Sequence, residues 1–142
     1  MRKNRGFTLI ELLVVIAIIG LLSTLAVVAL NSARAKSRDA KRVSDIKSLQ
    51  TALELYYQDA NSYPAVTGVL GTGSYAALCT NGFTAGGCTN PYMGQIQANP
   101  TPNGADYTYS GSASSYQITF SLESGTGNLP SGTHVASPSG LQ

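Results

Sequence analysis

The sequence predicts an α+β protein: one long N-terminal helix, apolar in its first half and amphipathic in its second, packed on a small antiparallel β-sheet head. Three observations predict it. The run from Phe7 to Leu30 is apolar apart from a few small residues and carries one charge, Glu11. Residues 34–57 contain no Gly or Pro, and apolar residues recur there at three- and four-residue steps. Beyond residue 104, apolar residues alternate at every second position between glycine- and serine-rich turns.

Residues 1–6 form a short basic leader ending in Gly6. The 24 residues that follow would give roughly 36 Å of helix at ~1.5 Å per residue, enough to cross a hydrocarbon core of about 30 Å with some tilt. A cleaved secretory signal is one alternative, because Ala33-Arg34-Ala35 loosely resembles a cleavage site, but the run is longer than the usual 7–15 apolar residues. An uncleaved single-span anchor is another. Its orientation is undetermined, since Arg2, Lys3 and Arg5 precede the run and Arg34, Lys36, Arg38, Lys41 and Arg42 follow it.

A carboxylate within an apolar span is costly, on the order of 2.5–3.5 kcal/mol at mid-span for Asp and less near an end, so Glu11 needs a compensating partner. Thr8-Leu9-Ile10-Glu11 fits a capping box, with Thr8 as N-cap and Glu11 reaching back to its N–H. Alternatively, cleavage after Gly6 frees the amine of Phe7, and Glu11 of one copy pairs with that cation on another. The two arrangements can coexist. Gly6-Phe7-Thr8-Leu9-Ile10-Glu11 resembles the processing and assembly motif of type IV pilins and the related pseudopilins. The resemblance implies a peptidase that cuts between Gly6 and Phe7, N-methylation of Phe7, and a role for Glu11 in assembly. It is specific over residues 1–30, supportive as far as Pro64, and architectural beyond.

In the second half of the helix, Val43, Ile46, Leu49, Leu53 and Tyr56 form one apolar stripe that should face the head's own sheet, with Arg42, Asp45 and Lys47 largely off it. Asp39 with Arg42 and Lys41 with Asp45 are spaced for side-chain pairs worth a few tenths of a kcal/mol. The basic cluster 34–42 is open to three readings: a solvated face, a contact for anionic lipid, or a contact for an acidic neighbour. Asn61, as a left-handed cap, and Pro64 should end the helix near Asp59. Leu53–Tyr57 followed by Tyr63-Pro64 also resembles the helix end of many pilins. Gly20, Ser23 and Thr24 would allow close helix approach at mid-span. Many relatives carry a proline where this chain has Val28, so a bend there is not implied.

Residues 61–104 read as an irregular αβ-loop rich in Gly, Thr, Asn and Pro, with short helical turns expected near Tyr75–Leu78 and Met93–Ala98. A head of about 80 residues buries little core and calls for a staple. Outside the cytoplasm, Cys79 and Cys88 would form a disulfide, worth roughly 2.7 kcal/mol in the chain-entropy account; free thiols are the alternative. In residues 105–142, Tyr107 and Tyr109, then Tyr116, Ile118, Phe120 and Leu122, alternate as a hairpin with one apolar face. Thr133–Ala136 would add a third strand, and Ser137–Gln142 would fray or form a short cap.

The residues offer no catalytic set, and the reading is of a protein that is not an enzyme and takes no cofactor. His134 is the one histidine, and with two cysteines it makes at most three zinc ligands without paired spacing. Some pseudopilins bind calcium in an aspartate-rich C-terminal loop; here that loop offers little beyond Glu123, so no metal site is expected. All nine Lys/Arg lie at or before Lys47, which leaves residues 48–142 without cations for phosphate, so direct nucleic-acid binding by the head is not expected.

The expected organisation is a leader at 1–6, a membrane or filament-core half-helix at 7–30, an amphipathic half-helix at 31–60, a disulfide-containing loop at 61–104 and a sheet region at 105–142. The resemblance implies a structural subunit of a type IV pilus or pilus-like filament. Such a subunit is a single-pass cytoplasmic-membrane protein before assembly and an extracellular filament afterwards. Its implied partners are copies of itself, a prepilin peptidase, a platform protein and an assembly ATPase. Two alternatives are a pseudopilin of a type II secretion or DNA-uptake machine and, in a different class, a membrane-anchored monomeric binding module.

Overall fold

The computed structural model describes residues 6–142, and Met1–Arg5 lie outside the described residues. It is the expected α+β arrangement: a long N-terminal helix, α1 (Leu9–Ala60), followed by small antiparallel sheets. The chain divides into two compact units, one ending at Arg34 and one running from Ala35 to Gln142.

In the first unit, α1 begins at Leu9, two residues later than the start of the apolar run, because Thr8 serves as its cap. Every described residue from Gly6 to Arg34 is exposed. The hydroxyls of Ser23 and Thr24 donate to the carbonyls of Ile19 and Leu21 at 2.7 and 2.8 Å. The two polar side chains at mid-span are therefore satisfied by their own helix, as an apolar surrounding requires.

In the second unit, Ile46, Leu49, Ala52, Leu53 and Tyr56 of α1 are buried, and Val43 packs against them. This is the stripe read from the sequence. At the helix end, Asn61 takes a positive φ of 52° and its N–H donates to Tyr57 O at 2.8 Å, a left-handed cap. The stripe packs in one core with a five-stranded antiparallel sheet. Its strands are β1 (Thr67–Val69), β5 (Thr108–Gly111), β6 (Tyr116–Leu122), β7 (Gly132–Ser137) and β8 (Gly140–Leu141), neighbours in that order. Tyr116, Ile118, Phe120 and Leu122 alternate inward along β6, which puts Ile118 beside Tyr109 and Phe120 beside His134 in register. Gly111 ends β5 because a side chain there would collide with Pro64 O and the Tyr109 hydroxyl.

Two expectations are corrected. Residues 65–104 are not a loop with helical turns: β1 joins the main sheet, and β2 (Ala77–Cys79), β3 (Gly82–Thr84) and β4 (Pro91–Met93) form a second antiparallel sheet in the order β3-β2-β4. The only helical turn among the described residues there is Gly73–Tyr75. Ala76 N–H bonds to Thr84 O and Ile96 N–H to Ala76 O, so these segments pair across the loop instead of coiling. Pro91 is tolerated because it opens an edge strand. The C-terminus does not fray either: β8 pairs with β7, and Val135 and Gln142 exchange backbone hydrogen bonds at 2.9 Å.

Candidate functional site

Gly6, Phe7 and Thr8 lead into α1 without regular structure, and Phe7 is 81 % exposed. The Thr8 N–H donates to Glu11 Oε2 at 2.8 Å, and the Thr8 hydroxyl donates to the same oxygen at 2.7 Å. In return, Glu11 N–H reaches Thr8 Oγ1 at 3.3 Å. This is a reciprocal capping box, and it satisfies N–H groups that a helix start otherwise leaves open. It also places the carboxylate at the positive end of the helix dipole. Both hydrogen bonds fall on Oε2. Among the described residues nothing donates to Oε1, so the cap leaves one carboxylate oxygen available. Phe7, Ile10, Val14 and Val15 line a shallow groove around Glu11. The other sequence-derived candidate, Gly6, lies beside Phe7, and a Cβ there would meet nothing.

Cys79 and Cys88 are joined, with their Cα atoms 6.2 Å apart, closing the β2–β3 turn and the segment after it. The ring nitrogens of His134 face the carbonyl oxygens of Gln142 and Pro130 at 3.2 and 2.8 Å, and its ring packs on Phe120. It is a structural histidine in a hydrogen-bonded niche.

A second cluster was not foreseen. Arg42, expected off the buried face, is fully buried, as is Asp39. Arg42 uses all five of its N–H donors. Nη1 donates to Asp39 Oδ1 at 2.8 Å and Glu123 Oε1 at 2.7 Å, Nε to Asn99 Oδ1 at 2.7 Å, and Nη2 to Pro100 O at 3.0 Å and to Asn103 O. Arg38 grips Glu123 with two parallel bonds of 2.7 and 2.6 Å. Asp39 accepts the backbone N–H groups of Glu123, Ser124 and Gly125 at 2.7–2.9 Å. The clasp ties one turn of α1 to the 99–104 loop and to the end of β6. Part of the basic cluster 34–42 is thus an internal ion network, while Lys36 and Lys41 stay exposed.

The clasp sets the charge states of its carboxylates. The Arg38 guanidinium, helped by Asn103 and Arg42, outweighs partial burial and holds Glu123 far below the ordinary carboxylate range. Burial pushes Asp39 up, but three backbone N–H donors and Arg42 outweigh it and leave its carboxyl below the usual range. These carboxylates are occupied by guanidinium groups, so the donor set around Glu123 does not fit a calcium ion. No group of three His, Cys, Asp or Glu converges on a point among the described residues.

Two protein families match this chain. The prokaryotic N-terminal methylation motif covers residues 1–27, and the family described as type II secretion system (T2SS), protein G covers residues 28–136. Among curated relatives, the type II secretion system core protein G of Pectobacterium carotovorum subsp. carotovorum is 48 % identical over 63 residues, 44 % of this chain and 40 % of its own. The core protein G of Escherichia coli (strain K12) is 48 % identical over 62 residues, 44 % of this chain and 43 % of its own. The type IV major pilin protein PilA of Myxococcus xanthus (strain DK1622) is 38 % identical over 61 residues, 43 % of this chain and 28 % of its own. The chain thus matches less than half the length of each of these relatives. No solved structure matches.

Proposed function

Because this chain belongs to the type II secretion system protein G family, within the wider group of type IV pilins and pseudopilins, we propose that it is a structural subunit of a pilus-like filament. The subunit is cleaved between Gly6 and Phe7 and assembles through its apolar N-terminal half-helix. A type IV pilus and the pseudopilus of a secretion machine fit this reading equally well, since relatives of both kinds match.

The observation that carries the proposal is the half-used carboxylate of Glu11. The capping box satisfies the helix start through Oε2, and among the described residues no donor reaches Oε1, beside an exposed apolar surface. Before processing, the span from Phe7 to Leu30 lies in the cytoplasmic membrane with the head outside. Cleavage after Gly6 removes Arg2, Lys3 and Arg5 and creates an amine on Phe7. On extraction into a filament, the apolar helices pack together. In that low-dielectric surrounding, an unpaired carboxylate is costly and a neighbouring copy's Phe7 ammonium stabilises it. Partners follow from this sequence of events: a prepilin peptidase, a platform protein, an assembly ATPase and further copies of the chain.

Glu11→Gln tests the reading against capping alone. Glutamine retains the capping-box geometry but not the charge. The variant should be processed to the mass of the chain starting at Phe7, yet assemble at least tenfold less well in a filament-shearing assay. Wild-type assembly by Glu11→Gln alongside failure of Glu11→Ala would show that only the cap matters. Retention of Met1–Gly6 in cells that contain the peptidase would overturn the processing step.

A further inference from the structure

A cleft of about 500 Å³ opens in the second unit between the segment after α1 and the small sheet, within the usual size range of ligand sites. One wall is Tyr56, Tyr63 and Pro64; the other is Tyr75 and Phe83. The rings are fixed by their neighbours. Tyr63 packs against Tyr57 and Tyr116, with centroids 4.6 and 4.8 Å apart, and Phe83 packs against Tyr109 and Tyr75 at 4.7 and 5.4 Å. The Tyr75 ring lies so close over Gly68 that a Cβ there would come within 2.2 Å of a ring carbon. The polar tips of two of the three tyrosines are already engaged: Tyr75 donates to Thr67 O at 2.7 Å and Tyr63 to the Glu54 carboxylate at 3.0 Å. These rings therefore offer carbon surface to the cleft. Ser62, Ser74 and Asn81 supply its polar side chains, and Ser74 and Asn81 are exposed.

Charge selects the ligand. No residue lining the cleft is charged, and residues 48–142 contain no Lys or Arg, so anions have no partner. A cation would meet only ring faces, with no carboxylate in the lining. A proline-rich peptide would need ring donors for its carbonyls, but the Tyr63 and Tyr75 hydroxyls are taken and the chain has no tryptophan, which leaves Tyr56 as the one lining ring with an unengaged donor. What remains is a neutral molecule with one flat C–H face and a rim of hydroxyls. We propose that this cleft is a binding site for a neutral pyranose, the sugar face lying on the Tyr75 and Phe83 rings and its hydroxyls meeting Asn81, Ser74 and Ser62. The Cys79–Cys88 bond closes the loop that carries Asn81 and Phe83, so it holds one wall in place before any ligand arrives.

This site does not depend on the assembly reading and can be tested on the unassembled full chain. The full chain, in a polyoxyethylene detergent free of sugar headgroups, is titrated with N,N′,N″-triacetylchitotriose, cellotriose and maltotriose while its amide NMR signals are followed. At least one sugar should cause saturable shifts at Tyr75, Asn81 and Phe83. Phe83→Leu and Asn81→Asp should each weaken binding about tenfold, or ~1.4 kcal/mol. Asn81 lies on an exposed turn, so Asn81→Asp should leave the melting temperature unchanged and keeps the test valid if Phe83→Leu unfolds. Absence of shifts with all three sugars, or shifts confined to residues outside the cleft, overturns the site. Response to a proline-rich peptide alone overturns the sugar assignment.

Discussion

At the scale of single residues, the two halves of α1 handle charge in opposite ways. Glu11 is exposed and, among the described residues, half satisfied, whereas Arg42 is buried and fully satisfied. Removing one partner of a buried ion network strands the others, so Arg42→Met should cost about 3–5 kcal/mol in chemical denaturation. Lys41→Met, one residue away and exposed, should stay within about 0.5 kcal/mol. Equal effects would mean the clasp adds nothing specific. The clasp also sets the acid limb of stability. Asp39 and Glu123 hold protons less tightly folded than unfolded. Their stabilisation is complete above the ordinary carboxylate range of about 4. As pH falls through and below that range, the unfolded chain takes up protons that the folded one refuses, and stability drops. Glu123→Gln should therefore be less stable at neutral pH but show a shallower loss on acidification. An unchanged slope in pH-dependent melting would remove Glu123 from that account.

At the scale of elements, the periodic segments were legible and the aperiodic ones were not. Ile46, Leu49, Leu53 and Tyr56 announce a helix face by their spacing, and Leu53 lies at its centre with no exposed surface. Leu53→Ala should cost about 2–5 kcal/mol, while Leu55→Ala, 45 % exposed on the same turn, should cost far less. Comparable losses would mean that the stripe is not the packing face. Strand β6 was legible because seven residues alternate over a full face. Strands β1 to β4 are three residues each, too short to show a period, and contain Gly68, Gly82 and Pro91, which argue against strand on propensity. Long-range pairing alone makes them strands. The clasp was illegible for a related reason. Asp39 and Arg42 look like an ordinary surface pair until Glu123, 81 positions beyond Arg42, arrives to cover them. The cap was legible because both partners lie within one turn, at Thr8 and Glu11.

At the scale of the whole chain, the two units place their apolar surface differently. Every member of the second unit's core lies between Ile46 and Ala136, and its ion clasp starts at Arg38. From Leu9 on, the first unit is exposed, mostly apolar helix. An isolated helix in water gains little stability from its own backbone, whereas a core with one buried helix face and a paired sheet supports cooperative folding. A chain beginning at Ala35 retains every described hydrogen bond of the clasp, the whole core cluster and the Cys79–Cys88 bond. It should therefore fold without detergent and melt in one transition within a few degrees of the head in the longer chain. Moving the start to Val43 deletes Arg38, Asp39 and Arg42 while leaving the apolar stripe intact. That shorter chain should melt well below the first, by roughly 4–8 °C for each kcal/mol lost in a domain of about this size. Similar melting of the two would mean that the apolar stripe and sheet alone hold the head, and that the clasp's ion pairs do no more than offset their own desolvation.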